Sequence, residues 1–185
     1  MSAPKPIVIR TNANDEVQKK AMEEVIDLFQ SDTHNIVVLV PLENEVSHIS
    51  GNQTVDFWYN LLINDGYDCS KYTHKKGEIG VIKNIHVTTF KSVKGLEFDT
   101  VIIPNFDLFQ INLDGLNTVT ENDYYVALTR TRRNLYLIDD SMVEDNERCS
   151  LPFLHNAVTN HLLEVNDEYL KLPGFSEDEP DDLPF

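Results

Sequence analysis

Residues 35–40 read Asn-Ile-Val-Val-Leu-Val, an apolar run without alternation that is closed by Pro41. A strand with one wet face alternates apolar and polar residues, whereas an unbroken apolar run belongs to a strand covered on both faces, as in a parallel sheet. Asp99-Thr-Val-Ile-Ile-Pro104 is a second run of this kind. Further short strands are predicted at 6–10, from Tyr67, at 85–89 and at 134–139. Between them lie segments of helical spacing. Asn14 precedes Asp15 and Glu16, a cap followed by acids that suit the positive end of a helix dipole. Val17, Ala21, Val25, Leu28 and Phe29 then mark one apolar face. A second helix is predicted over 53–63 through Val55, Phe57, Trp58, Leu61 and Leu62, closed by Asp65-Gly66, and a third over 121–132. Residues 75–80 and 105–120 read as loops. Strands alternating with helices predict an α/β fold with a mostly parallel, doubly wound sheet and helices on both faces.

The 185 residues suit one domain with a tail, placed at 1–172 and 173–185. With 41% hydrophobic residues the chain can bury an ordinary core, and no stretch approaches the roughly 20 apolar residues of a membrane span. The N-terminus lacks the apolar core of a secretory signal, and Cys69 and Cys149 stand far apart without metal-type spacing. A cytoplasmic protein with reduced thiols is the expectation. The net charge of −16 argues against broad nonspecific binding of nucleic acid, so any such site must be a local patch shared with another domain. His34, His48, His74, His86, His155 and His161 form no His-x-x-x-His or Cys-rich group, and no protein-held metal is expected.

Two segments carry chemistry. The first is His86-Val-Thr-Thr-Phe-Lys-Ser-Val-Lys-Gly-Leu-Glu-Phe-Asp-Thr-Val-Ile-Ile103, a strand, a polar loop and another buried strand. Loops at the carboxyl ends of parallel strands are where ligands bind. Gly95 would allow close backbone approach, Lys94 supplies charge, and Glu97 can accept hydrogen bonds from a ribose. A surface turn with one glycine reads equally well from the spacing. The second is Tyr124-Tyr-Val-Ala-Leu-Thr-Arg-Thr-Arg-Arg133, whose three arginines suit phosphate oxygens. A solvated basic helix end is the alternative, and it serves for Arg132 and Arg133. Arg130 follows the packed Val126, Ala127 and Leu128 and is aimed at a defined place.

Thr88-Thr-Phe-Lys-Ser-Val-Lys-Gly-Leu-Glu-Phe98 resembles motif V, and Tyr125-Val-Ala-Leu-Thr-Arg-Thr-Arg132 resembles motif VI, of superfamily 1 DNA helicases of the UvrD/Rep type, in the right order and separation. The resemblance implies a C-terminal RecA-like domain of an ATP-dependent helicase. It implies that Arg130 reaches the γ-phosphate of an ATP held, with its Mg2+, by an N-terminal RecA-like domain, as an arginine finger does. It implies that Glu97, with Lys94 and Gly95, meets the nucleotide sugar, and that Thr89 and Lys91 contact single-stranded DNA. Lys91 stands where many relatives have histidine. A motif IV arginine is absent after the strand ending at Val40, where Pro41-Leu-Glu-Asn-Glu45 follows; Arg10-Thr-Asn-Ala13 resembles its letters only by coincidence.

No Gly-x-x-x-x-Gly-Lys-Ser/Thr occurs, and none of the seven glycines precedes a lysine, so the chain has no phosphate-cradling loop of its own. ATP hydrolysis needs a partner domain. The end, Glu177-Asp-Glu-Pro-Asp-Asp-Leu-Pro-Phe185, reads as a flexible acidic tail and resembles the tip of bacterial single-stranded-DNA-binding proteins. That resemblance implies that Asp181, Asp182, Leu183, Pro184 and Phe185 dock proteins which read such tips; a solvating tail is the other reading. Two functions therefore stand: a helicase motor half acting in DNA replication or repair, and a non-catalytic RecA-like module that recruits replication or repair proteins.

Overall fold

The computed structural model describes residues 4–11, 14–43, 53–72, 81–106, 120–139 and 162–171. The tail from 173 onward, with Asp181, Asp182, Leu183, Pro184 and Phe185, lies outside the described residues, as do most of the loop 105–120 and all of 75–80. The elements run β1 (Ile7–Arg10), α1 (Asp15–Phe29), β2 (Ile36–Val40), α2 (Val55–Asn64), β3 (Cys69–Lys71), β4 (Ile85–Thr89), β5 (Phe98–Ile103), α3 (Glu121–Leu128), β6 (Thr131–Asp139) and β7 (Glu164–Asn166). A short 3-10 helix, Glu168–Lys171, closes the described chain.

Seven strands form one sheet in the order β3-β4-β2-β5-β6-β1-β7, and every described pairing is parallel. β2 sits between β4 and β5, and all five of its residues are buried, as are those of β4 and β5. That double coverage is why these strands show no polar alternation. One face is covered by α1 and α2, whose Met22, Ile26, Trp58 and Leu62 meet Ile36, Val38, Ile102 and Ile138. The opposite face carries α3 and the connection after β4, through Phe90, Val93, Tyr124 and Ala127 against Val37, Val101, Ile103 and Leu137. The sheet is thus doubly wound, with a RecA-like arrangement.

Local chemistry sets the helix ends. Asn14 Oδ1 accepts from the Glu16 and Val17 amides at 2.9 and 3.3 Å, the side-chain cap at the start of α1. Thr54 caps α2 through the Phe57 amide at 3.2 Å. At the far end of α2, Gly66 takes φ +90°, and the Gly66 and Tyr67 amides return to the Ile63 and Leu62 carbonyls at 3.1 and 3.0 Å. This is a Schellman closure, and its left-handed residue is the reason for glycine there. The apolar face of α1 is rotated from the predicted one: Val17, Ala21 and Val25 are buried with Met22 and Ile26, while Leu28 is 69% exposed on its flank. β7 was not legible as a strand; it is three residues long and joins through β1 alone.

His86 lies inside β4, almost fully buried, with its ring stacked on Phe98 and its Nδ1 2.8 Å from the Ser70 hydroxyl. Burial disfavours the charged ring and lowers its pKa from 6.5 to about 4. The unfolded chain therefore binds the extra proton between these values. The stabilisation is complete above pH 6.5 and is lost as pH falls toward 4, by at most ~3 kcal/mol. Urea midpoints at pH 7 and 4.5 test this: His86→Gln flattens the loss seen in the wild type, and an equally steep loss contradicts it. Trp58, fully buried between α2 and the sheet, is the larger packing element; Trp58→Ala lowers unfolding stability by ~3–5 kcal/mol in the same titration.

Candidate functional site

The turn from α3 into β6 carries the arginines. α3 starts at a capping box, with the Asp123 amide donating to Thr120 Oγ1 at 3.3 Å and the Thr120 amide to Asp123 at 2.8 Å. It ends at Leu128, four residues before the predicted end at 132, because β5 takes over the backbone: the Phe98 amide donates to the Arg130 carbonyl at 2.9 Å, and Thr131 pairs with Phe98. Thr129 Oγ1 also donates to the Tyr125 and Val126 carbonyls at 2.8 and 3.1 Å, adding to the Tyr125 carbonyl's bond from the Thr129 amide. Arg132 and Arg133 consequently lie on β6 and are not a basic helix end; α3 has no basic residue in its last turn.

Arg130 is held in place by neutral acceptors. Its Nε donates to the Val126 carbonyl at 3.0 Å, one terminal nitrogen to Leu96 O at 3.4 Å, and the other to Thr129 Oγ1 at 3.2 Å. A guanidinium has five N–H donors, so each terminal nitrogen keeps a second one. No carboxylate pairs with Arg130 among the described residues, whereas Arg132 meets Glu97 at 3.0 Å and Arg133 meets Asp99 at 3.4 Å. Of the three arginines, Arg130 is the one whose charge no carboxylate of the described residues offsets, and it keeps an N–H on each terminal nitrogen for an anion. Leu96 and Tyr125, on the same two segments, are 37% and 70% exposed.

The segment joining β4 to β5 crosses the whole sheet in eight residues, 90–97, on the α3 face. Phe90 and Val93 are buried, while Lys91, Lys94, Gly95, Leu96 and Glu97 are exposed. Two tight turns shape it, with the Ser92 amide on Thr89 O at 3.1 Å and the Leu96 amide on Val93 O at 3.0 Å. Gly95 adopts φ +88° with open space where a side chain would start, so backbone conformation accounts for glycine here.

The structure separates the expected site residues into two groups. Thr89 ends β4 level with Val40, while Ile36 lies level with Thr100, two residues into β5 from Phe98. About six residues of strand, ~20 Å, therefore divide Thr89 from Phe98. Thr89 and Lys91 stand at the carboxyl edge, and Glu97, Arg130 and Arg132 stand at the amino edge of β5 and β6. The expectation of a loop lying wholly at the carboxyl ends of the strands holds only for its first half. Thr89 is itself buried, with its hydroxyl 2.8 Å from that of Ser92. Arg10 ends β1 at the carboxyl edge, 3.9 Å from Asp167, and so is remote from Arg130. Sequence reasoning passed over Ser92, Asp99 and the Arg132–Glu97 contact; the contact depends on the β5–β6 register, which no local pattern carries.

Among the described residues, no group of three His, Cys, Asp or Glu is placed to hold a metal ion, and no helix is long and apolar enough to cross a membrane. Cys69 is buried, which pushes its thiol up to about 11 and away from nucleophile chemistry.

Residues 62–141 match the family model of the UvrD-like helicase C-terminal domain, a span that includes β4, β5, α3 and β6. No curated protein matches the chain. Among solved structures, the C-terminal domain of a possible DNA helicase from Lactobacillus plantarum is similar at 17% identity and TM-score 0.61, over 90% of this chain and 88% of that one. The SWI2/SNF2 ATPase core of Sulfolobus solfataricus, solved in complex with double-stranded DNA, is similar at 9% identity and TM-score 0.52, over 89% of this chain and 41% of that one. The C-terminal domain of the DEAD-box protein Dbp5 is similar at 12% identity and TM-score 0.51, over 88% of this chain and 89% of that one. At these identities the structural matches establish the fold, which is that of RecA-like helicase C-terminal domains.

Proposed function

We propose that this chain is the C-terminal motor half of an ATP-dependent superfamily 1 DNA helicase, acting in DNA replication or repair. Starting from the UvrD-like match over 62–141, the carrying observation is Arg130. It is anchored at the amino edge by uncharged acceptors, lacks a carboxylate partner among the described residues, and keeps an N–H on each terminal nitrogen. Such a group costs little to reorganise when a phosphate arrives, which is what electrostatic stabilisation of a phosphoryl-transfer transition state requires.

The chain lacks a phosphate-binding loop, so the nucleotide is held elsewhere, by an N-terminal RecA-like domain in the same polypeptide or in trans. Mg2+ comes with the ATP on that domain. Exposed Leu96 and Tyr125 give the amino edge apolar surface for the closing partner. Glu97, beside Lys94 and Gly95, accepts from the ribose hydroxyls. Thr89 and Lys91, at the opposite edge, meet the single-strand backbone, Lys91 as an exposed point charge and Thr89 through the turn it caps with Ser92. A site for DNA at one edge and for nucleotide at the other, joined by residues 90–97, is suited to passing nucleotide state to DNA.

A second reading keeps the fold but not the catalysis: a module that recruits replication or repair proteins through its surface and through Asp181, Asp182, Leu183, Pro184 and Phe185. The missing motif IV arginine and the lysine at position 91 favour it.

ATPase assays of the chain mixed with the RecA-like domain that bears the phosphate loop, with single-stranded DNA present, test the first reading. The chain alone is inactive, the mixture hydrolyses ATP, and Arg130→Ala lowers kcat by about 10³-fold or more, with Arg130→Lys only partly active. A mixture indifferent to Arg130→Ala refutes the finger. Deleting 181–185 leaves that ATPase intact and, on the second reading, abolishes capture of proteins that read acidic Pro-Phe tips; unchanged capture refutes the recruitment role.

A further inference from the structure

Between β5 and β6 the register slips. Phe98 pairs with Thr131, but two residues on in β5, Thr100 pairs with Asn134, three residues on in β6. The extra residue makes a bulge at Arg132–Arg133, closed by the Thr131 hydroxyl on the Asn134 carbonyl at 2.8 Å. In a regular strand consecutive side chains point to opposite faces, so two adjacent arginines could not both meet acids two residues apart on the neighbouring strand. Here they do. Arg132 Nε donates to Glu97 Oε2 at 3.0 Å, and Arg133 Nε lies 3.4 Å from Asp99 Oδ1.

The two pairs differ in environment. The Asp99 side chain is 11% exposed, and its other oxygen accepts from the Asn35 amide at 3.1 Å, so this pair ties β6 to the start of β2. The Arg132 and Glu97 side chains are 55% and 57% exposed, and an ion pair in that setting contributes little to folding. It does fix direction. A glutamate on a loop end has three rotatable side-chain bonds and loses entropy on meeting a ligand, whereas one oxygen tied to a guanidinium leaves the other aimed. Bulges beside functional sites commonly serve to re-aim a side chain in this way.

From this geometry we propose that Arg132 is a positioning residue for Glu97, presented by the β6 bulge so that Glu97 offers its second carboxylate oxygen to the nucleotide ribose. The proposal rests on the assignment of Glu97 to the ribose made above. It gives the turn after α3 two separate tasks: Arg130 meets the phosphate end of the nucleotide, and Arg132 acts through Glu97 on the sugar. The alternation Glu97-Phe98-Asp99 opposite Arg132-Arg133 becomes a functional feature, with its second pair as the structural anchor.

The test uses the reconstituted ATPase with ATP and 2′-deoxy-ATP as substrates. Wild type prefers ATP through KM, and Arg132→Gln removes most of that preference, raising KM for ATP about five- to tenfold with a smaller change in kcat. Arg132→Lys recovers part of it, because a point charge still attracts the carboxylate but does not orient it. Arg133→Gln, which cuts only the anchoring pair, lowers stability and leaves the ribose preference in place. The double variant Arg132→Gln/Glu97→Gln is no worse than Glu97→Gln alone. If Glu97→Gln keeps the preference, the ribose assignment itself is wrong. If Glu97→Gln loses it while Arg132→Gln keeps it, or if the two effects add, the ribose assignment survives and the positioning role is refuted. The pairing can also be read without activity, on the 185-residue chain: the Arg132 Nε–H NMR signal is protected from exchange in the wild type and loses protection in Glu97→Gln. A signal unprotected in the wild type overturns the proposal.

Discussion

In an all-parallel sheet every connection must bring the chain from the carboxyl edge back to the amino edge, and most of this molecule's design follows from how one connection does so. Such crossovers ordinarily take a dozen or more residues and a helix. Between β4 and β5 the chain manages with eight residues, pinned to the sheet by Phe90 and Val93 and turned at Gly95. A crossover that short has no room to wander. Its first residues are fixed at the carboxyl edge by β4, its last at the amino edge by β5, and motion at one end has a direct covalent path to the other.

Charge is distributed to match. The chain is strongly acidic, and two of the three arginines after α3 are matched by carboxylates on the neighbouring strand. Arg130 is matched by no carboxylate of the described residues, and its guanidinium is held by two backbone carbonyls and a hydroxyl. Its neighbours stabilise its position without cancelling its charge.

The fold was legible where burial writes itself into composition. β2 and β5 announced themselves as runs without alternation, and Asn14 with Asp15 and Glu16 marked the start of α1. What stayed hidden depends on partners distant in sequence. Residues 129–133 look helical because the preceding turn is helical, yet the Phe98 amide captures the Arg130 carbonyl and converts the segment to strand. The same long-range pairing creates the bulge, so no local pattern could have put Arg132 on Glu97. Motif order nominated the candidate residues, and strand register shows that Thr89 and Glu97 stand at opposite edges of the sheet. The tail's acidic Pro-Phe ending lies outside the described residues and stays a reading of its letters alone.

The two-edge division is the central claim, and hydrogen–deuterium exchange on the chain assembled with its phosphate-loop domain tests it most directly. A non-hydrolysable ATP analogue should slow exchange at 94–98 and 128–133, while single-stranded DNA should slow it at 88–92. Protection of 88–92 by nucleotide with 128–133 unaffected, or of 128–133 by DNA alone, would contradict the account.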